Sequence, residues 1–160
     1  MPKLTITLPT YNEKENLPVI AEALLALDLG EVTQHVLVVD DNSPDGTGQV
    51  ADELAAKYPG RVSVLHRTAK EGLGKAYLHG FKVAIDEGAD YIMHMDCDGS
   101  HRPEDVPKLV AAIDDADLVI GSRYTKGGSV DETWPWYRKA LSAFANKAYI
   151  RTLLRTGIQI

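Results

Sequence analysis

The stretch His35-Val36-Leu37-Val38-Val39-Asp40-Asp41-Asn42-Ser43-Pro44-Asp45-Gly46 joins an unbroken apolar run to a dense turn signal. A strand can be apolar at every position when both of its faces are buried. Asp, Asn, Ser, Pro and Gly in succession then stop the strand and turn the chain. Strands covered on both faces belong to parallel sheets flanked by helices, so this stretch predicts an α/β architecture.

The segments on either side agree. Leu4–Leu8 reads as a first strand, followed by a helix from about Glu15 to Leu27 with Leu17, Ile20, Ala21, Leu24 and Leu25 on one face. A helix from about Thr47 to Tyr58 ends at Pro59-Gly60; Val62–His66 is a third strand, residues 72–88 contain a helix, and Tyr91–Met95 is a fourth strand. Pro103 suits the first turn of a helix running to about Asp114, and Leu118–Gly121 reads as a fifth strand. After a Gly-containing loop, Lys126–Ser129, a last helix is expected from about Pro135 to Arg155. This β-α-β-α order predicts a Rossmann-like, mostly parallel sheet with helices on both faces, residues 1–160 forming one domain. Ligands of such sheets sit beyond the carboxyl ends of the strands, where each motif can be tested.

Composition narrows the function. The 160 residues are 44% hydrophobic and carry a net charge of −6, which supports a packed core and argues against nucleic-acid binding. One cysteine excludes an internal disulfide, and no apolar run has the roughly 18 residues needed to span a bilayer. No signal-peptide layout precedes the first strand. After Glu132 every charged residue is basic, namely Arg138, Lys139, Lys147, Arg151 and Arg155, with Trp134, Trp136, Tyr137, Phe144 and Tyr149 among them. That mixture reads as a solvated helical face, as an interfacial surface attracted to anionic head groups, or as core aromatics of a longer domain.

Five clusters fall at expected strand ends. Pro9-Thr10-Tyr11-Asn12-Glu13 offers a ring for stacking and a carboxylate acceptor; it also reads as a plain turn and cap, with Asn12 capping and Glu15 three positions on. Asp40-Asp41 places two acids at the end of a buried strand, where something must bind them unless they turn toward water. Asp96-Cys97-Asp98 puts both carboxylates on one side of an extended segment and Cys97, read as packing, on the other. Such hard oxygen donors suit Mg²⁺ or Mn²⁺ bridging a diphosphate, with Ser100 or His101 able to complete the shell. Glu71-Gly72-Leu73-Gly74-Lys75 is neither a phosphate loop nor a dinucleotide fingerprint, since Tyr77 stands where a third glycine belongs. Gly121-Ser122-Arg123-Tyr124 supplies a forked donor fit for phosphates.

Taken together these motifs resemble glycosyltransferase family 2, and within it the polyprenol (dolichol) phosphate mannosyltransferases. The resemblance is carried by PTYNE at 9–13, VDDNSPDGT at 39–47, EGLGKAYLHGF at 71–81, MDCDGSHRPED at 95–105, GSRY at 121–124 and RKALSAFAN at 138–146. It implies the GT-A form of the α/β fold and an inverting transfer of mannose from GDP-mannose to a polyprenyl phosphate. It also implies that Pro9, Tyr11, Glu13, Val39 and Asp41 hold the nucleoside and that Asp96 and Asp98 bind the metal. Cys97 would contribute backbone, and Ser100 would lie near a third-ligand position. Asp98 and Arg123 would act on the departing diphosphate, and Arg138 and Ser142 would meet the acceptor phosphate.

The resemblance further implies Mg²⁺ or Mn²⁺, a GDP-sugar donor and a membrane-borne polyprenyl phosphate. The location would be peripheral, at the cytoplasmic face of a membrane, with room for a membrane-anchoring partner subunit. Family members continue past a segment like Thr156-Gly157-Ile158-Gln159 with an Asp-x-Thr-Gly-x-Phe-Arg motif, so a chain ending at Ile160 is expected to be a fragment. Two other readings share these residues: an inverting transferase to a sugar hydroxyl, which needs a carboxylate base, and a non-catalytic nucleotide-sugar-binding module.

Overall fold

Four strands, β1 (Lys3–Thr10), β2 (Thr33–Asp40), β3 (Val62–His66) and β4 (Tyr91–His94), form one parallel sheet in the order β3-β2-β1-β4. In this computed structural model residues 1–122 and 135–145 are described, and they fall in two compact units, Met1–Val110 and Ala111–Ile160.

Helices cover both faces of the sheet, as expected for α/β. Helices α1 (Asn16–Leu25) and α2 (Thr47–Lys57) bury Leu17, Leu24 and Leu54 against Ile6, Leu8, Val36 and Val38. Helix α3 (Leu73–Asp86) covers the opposite face, where Leu37, Val39 and Ala76 form a smaller cluster with Leu65 and Val83. Alternate residues of β2 therefore enter two different cores, which explains why its sequence shows no polar alternation. Helix α3 lies close to the sheet because residue 80 is glycine: a Cβ there would stand 3.1 Å from Val39 Cγ2 and 3.2 Å from Thr7 Cγ2.

Pro9 sits in a central strand without breaking the ladder. The β4 pairing ends at Thr7↔His94, followed by Met95 N–H donating to Thr7 O at 3.1 Å. Pro9 lies past that point, where the missing N–H removes no bond to β4.

Three expectations need correction. Residues 118–121 form no strand, and Leu118 and Ile120 are largely exposed. A short apolar run becomes a strand only when a neighbour completes its hydrogen bonds. The helix expected from Pro103 is broken into a 3-10 turn (Pro103–Asp105), helix α4 (Val106–Ala112) and a second 3-10 turn (Ile113–Asp115). Pro107 accounts for the first break: in a continuous helix its ring would strike the carbonyl four residues back, whereas the first turn of α4 tolerates it. Finally, Asn12 does not cap α1. The N-cap position is Glu15, without a side-chain cap bond, and Asn12 adopts a left-handed φ of 62°.

In the second unit, helix α5 (Trp136–Phe144) begins just after Pro135 and exposes Trp136, Tyr137, Leu141 and Phe144. The rest of the expected helix, to Arg155, lies outside the described residues. No helix among the described residues is long and apolar enough to cross a membrane.

Candidate functional site

The strand order places the chemistry. From β1 the chain moves to β2 and β3 on one side, while β4 lies on the other, so the topological switch point falls between β1 and β4. The loops leaving these two strands carry Thr10–Glu13 and Asp96–Asp98. Asp40-Asp41 and Arg67 follow β2 and β3 along the same carboxyl edge.

At β4, Met95 and Cys97 are buried in the main core, whereas Asp96 is half-buried and Asp98 exposed. The alternation read from the sequence therefore holds, with both carboxylates on the outer side of the segment. Tyr77 of α3 donates its hydroxyl to Asp96 Oδ1 at 2.5 Å, and the Asp96 backbone N–H donates to His101 Nδ1 at 3.0 Å. Burial first, and then the bond to Asp96, hold the Tyr77 hydroxyl well above its ordinary pKa, so it stays a donor. Ser100 N–H donates to Asp98 Oδ1 at 2.8 Å, and hydrogen bonding by Ser100 holds the Asp98 carboxyl below its usual range. Burial and the neighbouring Glu13, Asp98 and Asp96 charges push the Cys97 thiol up to about 12, which suits packing and not nucleophilic chemistry.

These donors suit one kind of metal site. Among the described residues no three His, Cys, Asp or Glu side chains converge to hold an ion. Two carboxylates on a solvent-facing segment would give Mg²⁺ or Mn²⁺ hard oxygen ligands but leave most of its positions to water and a ligand's phosphates. The residues fit a cation shared with a diphosphate.

The acids after β2 are satisfied by the protein itself. Asp40 accepts from Ser43 Oγ at 2.6 Å, Ser43 N at 3.2 Å and Thr10 Oγ1 at 3.3 Å. Asp41 forms a buried ion pair with Arg67. Both side chains are buried, Asp40 with both oxygens engaged and Asp41 with its Oδ1 held by Arg67. The same turn secures the loop after β1. Asn12 N–H donates to Ser43 Oγ at 3.1 Å, Glu13 N–H to Thr47 Oγ1 at 2.9 Å and Lys14 N–H to Asp45 Oδ2 at 3.2 Å.

Of the other expected residues, Tyr11 is half-buried with the Lys70 ammonium 3.7 Å from its ring centre, a cation–π contact on one ring face. The Glu13 carboxylate accepts from Asn16 Nδ2 at 2.8 Å. Val39 is fully buried beneath α3, where its side chain packs with Leu37 and Ala76. Lys75 pairs with Glu71 at 2.8 Å. Arg138 and Ser142 share a face of α5, one exposed and one half-buried, in the second unit. Arg123 lies outside the described residues. Sequence reasoning passed over Arg67 and gave Tyr77 no role. Arg67 could have been found by its place immediately after the third strand; nothing in the local sequence pairs Tyr77 with Asp96.

A model of glycosyl transferase family 2 matches residues 5–158. The chain belongs to this family. Its relatives include the polyprenol monophosphomannose synthase of Mycolicibacterium smegmatis, 52% identical over 96% of this chain and 56% of that protein. The undecaprenyl-phosphate mannosyltransferase of Micrococcus luteus is 50% identical over 94% of the chain and 59% of its own length. The dolichol-phosphate mannosyltransferase of Pyrococcus furiosus is 46% identical over 88% and 38%. The chain thus spans between about two fifths and three fifths of these curated relatives' lengths. Among solved structures, S. aureus TarS 1-349 superposes with a TM-score of 0.54 at 25% identity, covering 70% of this chain and 32% of that one. The mannosyl-3-phosphoglycerate synthase of Rubrobacter xylanophilus has a TM-score of 0.51 at 24% identity, covering 64% and 33%, a likeness of fold alone. The family's GT-A fold is the α/β arrangement described above.

Proposed function

We propose that residues 1–160 are the nucleotide-sugar-binding domain of an inverting mannosyltransferase that moves mannose from GDP-mannose to a polyprenyl phosphate. The observation that carries this is the pair Asp96 and Asp98, both on the outer side of one segment beside the switch point, with Cys97 turned into the core. The names of the curated relatives support the substrate class.

In this reading Asp96 and Asp98 would hold Mg²⁺ or Mn²⁺, and the cation would stabilise the charge that builds on the departing nucleoside diphosphate. Tyr11, Glu13 and Asp41, with Pro9 and Val39, hold the nucleoside along the β1–β2 edge. Tyr77 and Ser100 keep the two carboxylates oriented. Arg123 adds a forked cationic donor to the phosphates, and Arg138 and Ser142 receive the acceptor phosphate. That acceptor, with a second pKa near about 6, is already an anion at neutral pH and needs no strong general base. A lipid acceptor places the reaction at a membrane surface, in keeping with the exposed Trp136, Tyr137, Leu141 and Phe144 around Arg138 and Lys139.

A thermal-shift panel of GDP-mannose, GDP and UDP-glucose, each with and without Mn²⁺, tests the reading through ligand stabilisation. GDP-mannose with Mn²⁺ is expected to give the largest shift, and D96A/D98A to abolish the metal-dependent part. An unchanged shift in that variant would remove the carboxylates from the site.

A further inference from the structure

We propose that Arg67 is a positioning residue for the nucleoside, pinning one oxygen of Asp41 so that the other is presented to a single hydrogen-bond donor of the incoming nucleotide. This role rests on the nucleotide-sugar reading of the sheet edge.

Arg67 is held at every point. Its backbone N–H donates to Asp40 O at 2.8 Å, continuing the β2–β3 ladder by one residue. Its side chain is 3% exposed. One terminal nitrogen donates to Asp41 Oδ1, the other to Glu71 Oε2 at 3.0 Å, and Nε donates to His79 Nδ1 at 3.2 Å. The guanidinium plane cannot turn without losing several of these bonds, so the carboxylate it grips is fixed as well.

Asp41 is anchored from its own backbone too, its N–H donating to Thr10 O at 3.0 Å. Its Oδ2 has no hydrogen-bond partner among the described residues. A carboxylate with one oxygen committed and one open, on the edge beside the Tyr11 loop, is shaped to accept one hydroxyl or ring N–H.

Two simpler roles fit less well. A phosphate clamp would need unspent positive charge, but Asp41, Arg67, Glu71 and Lys75 alternate in sign and sum to neutrality. A purely stabilising role is an expensive one, because desolvating a buried ion pair commonly cancels its attraction. What the arrangement does supply is orientation.

Calorimetric titration of this chain with Mn²⁺–GDP and with Mn²⁺–pyrophosphate separates nucleoside from phosphate recognition. R67K keeps the charge but not the fork, so it is expected to weaken GDP binding about tenfold while leaving pyrophosphate unchanged. R67M is expected to lose more. If R67M fails to fold, because it strands the Asp41 charge, R67K decides. In a D41N background, R67K should add less than about a twofold further loss. Unchanged GDP affinity in folded R67K, equal losses for pyrophosphate, or additive losses with D41N would each overturn the role of Arg67. A wild-type chain that binds pyrophosphate but not GDP would overturn the nucleotide reading itself.

Discussion

The Tyr77 hydroxyl donates to Asp96 Oδ1 at 2.5 Å, tying helix α3 to the carboxylate that follows β4. Tyr77 is itself set by its neighbours, its ring centre 4.6 Å from His94 and 6.0 Å from Phe81. Tyr77→Phe keeps that packing and removes only the donor. A hydrogen bond to a carboxylate contributes about 1.5–3 kcal/mol, so Mn²⁺ affinity in the presence of GDP should fall about tenfold or more. Paramagnetic resonance of free Mn²⁺ measures it. An affinity equal to wild type would show that Asp96 needs no such anchor.

Ser43 relays one hydrogen bond into another, accepting from Asn12 N–H and donating to Asp40 Oδ1. Ser43→Ala frees the exposed Asn12 amide to water and weakens the cage around the buried Asp40 carboxylate. The expected cost is about 1–2 kcal/mol. Amide exchange at residues 12–14 should accelerate while exchange in β1 stays slow, which mass spectrometry can resolve.

Gly80→Ala sets two effects against each other. Alanine favours the helix by about 1 kcal/mol. Its Cβ, however, would press on Val39 and Thr7, both fully buried, and Thr7 Oγ1 is tied to Met93 O at 3.1 Å. Overpacking commonly costs about 1–3 kcal/mol, so a net loss of about 1 kcal/mol and a Tm lower by roughly 3 °C are expected. An increase in Tm would mean that α3 can lift off the sheet at little cost.

His35 gives stability a pH dependence. Burial first, then the Lys3 charge, depress its pKa below 6.5, with Glu87 opposing, and its Nδ1 is buried without a partner among the described residues. The unfolded chain therefore takes up a proton before the folded one does. Stability from this residue is fully present above about pH 6.5 and declines as pH falls toward the lowered folded value. Urea unfolding at pH 7.5 and 5.5 should show the decline, and His35→Leu should flatten it. An equal slope in the variant would assign the pH dependence to other groups.

Much of the site was legible because the residues concerned answer to local rules. The run Val36–Val39 announced a strand covered on both faces, and the spacing of Asp96 and Asp98 put both on one side of an extended segment. The failures were mostly places where a distant partner decides. Residues 118–121 had the composition of a strand but no pairing among the described residues, whereas Pro107 was a local signal overlooked within an apolar helical pattern. The neighbours of Asn12 allow a cap as one of two readings, yet its backbone amide is drawn to Ser43, 31 positions away.

The amino-acid order alone determined the parallel α/β plan, the strand-end placement of the acidic motifs and the family resemblance, because periodicity and turn chemistry act over a few neighbouring residues. Only the tertiary structure decided which groups satisfy those acids: Arg67 for Asp41, Ser43 and Thr10 for Asp40, Tyr77 for Asp96. A buried carboxylate accepts whichever donor the fold carries to it, and that choice is made across the sheet, between residues that no spacing along the chain connects.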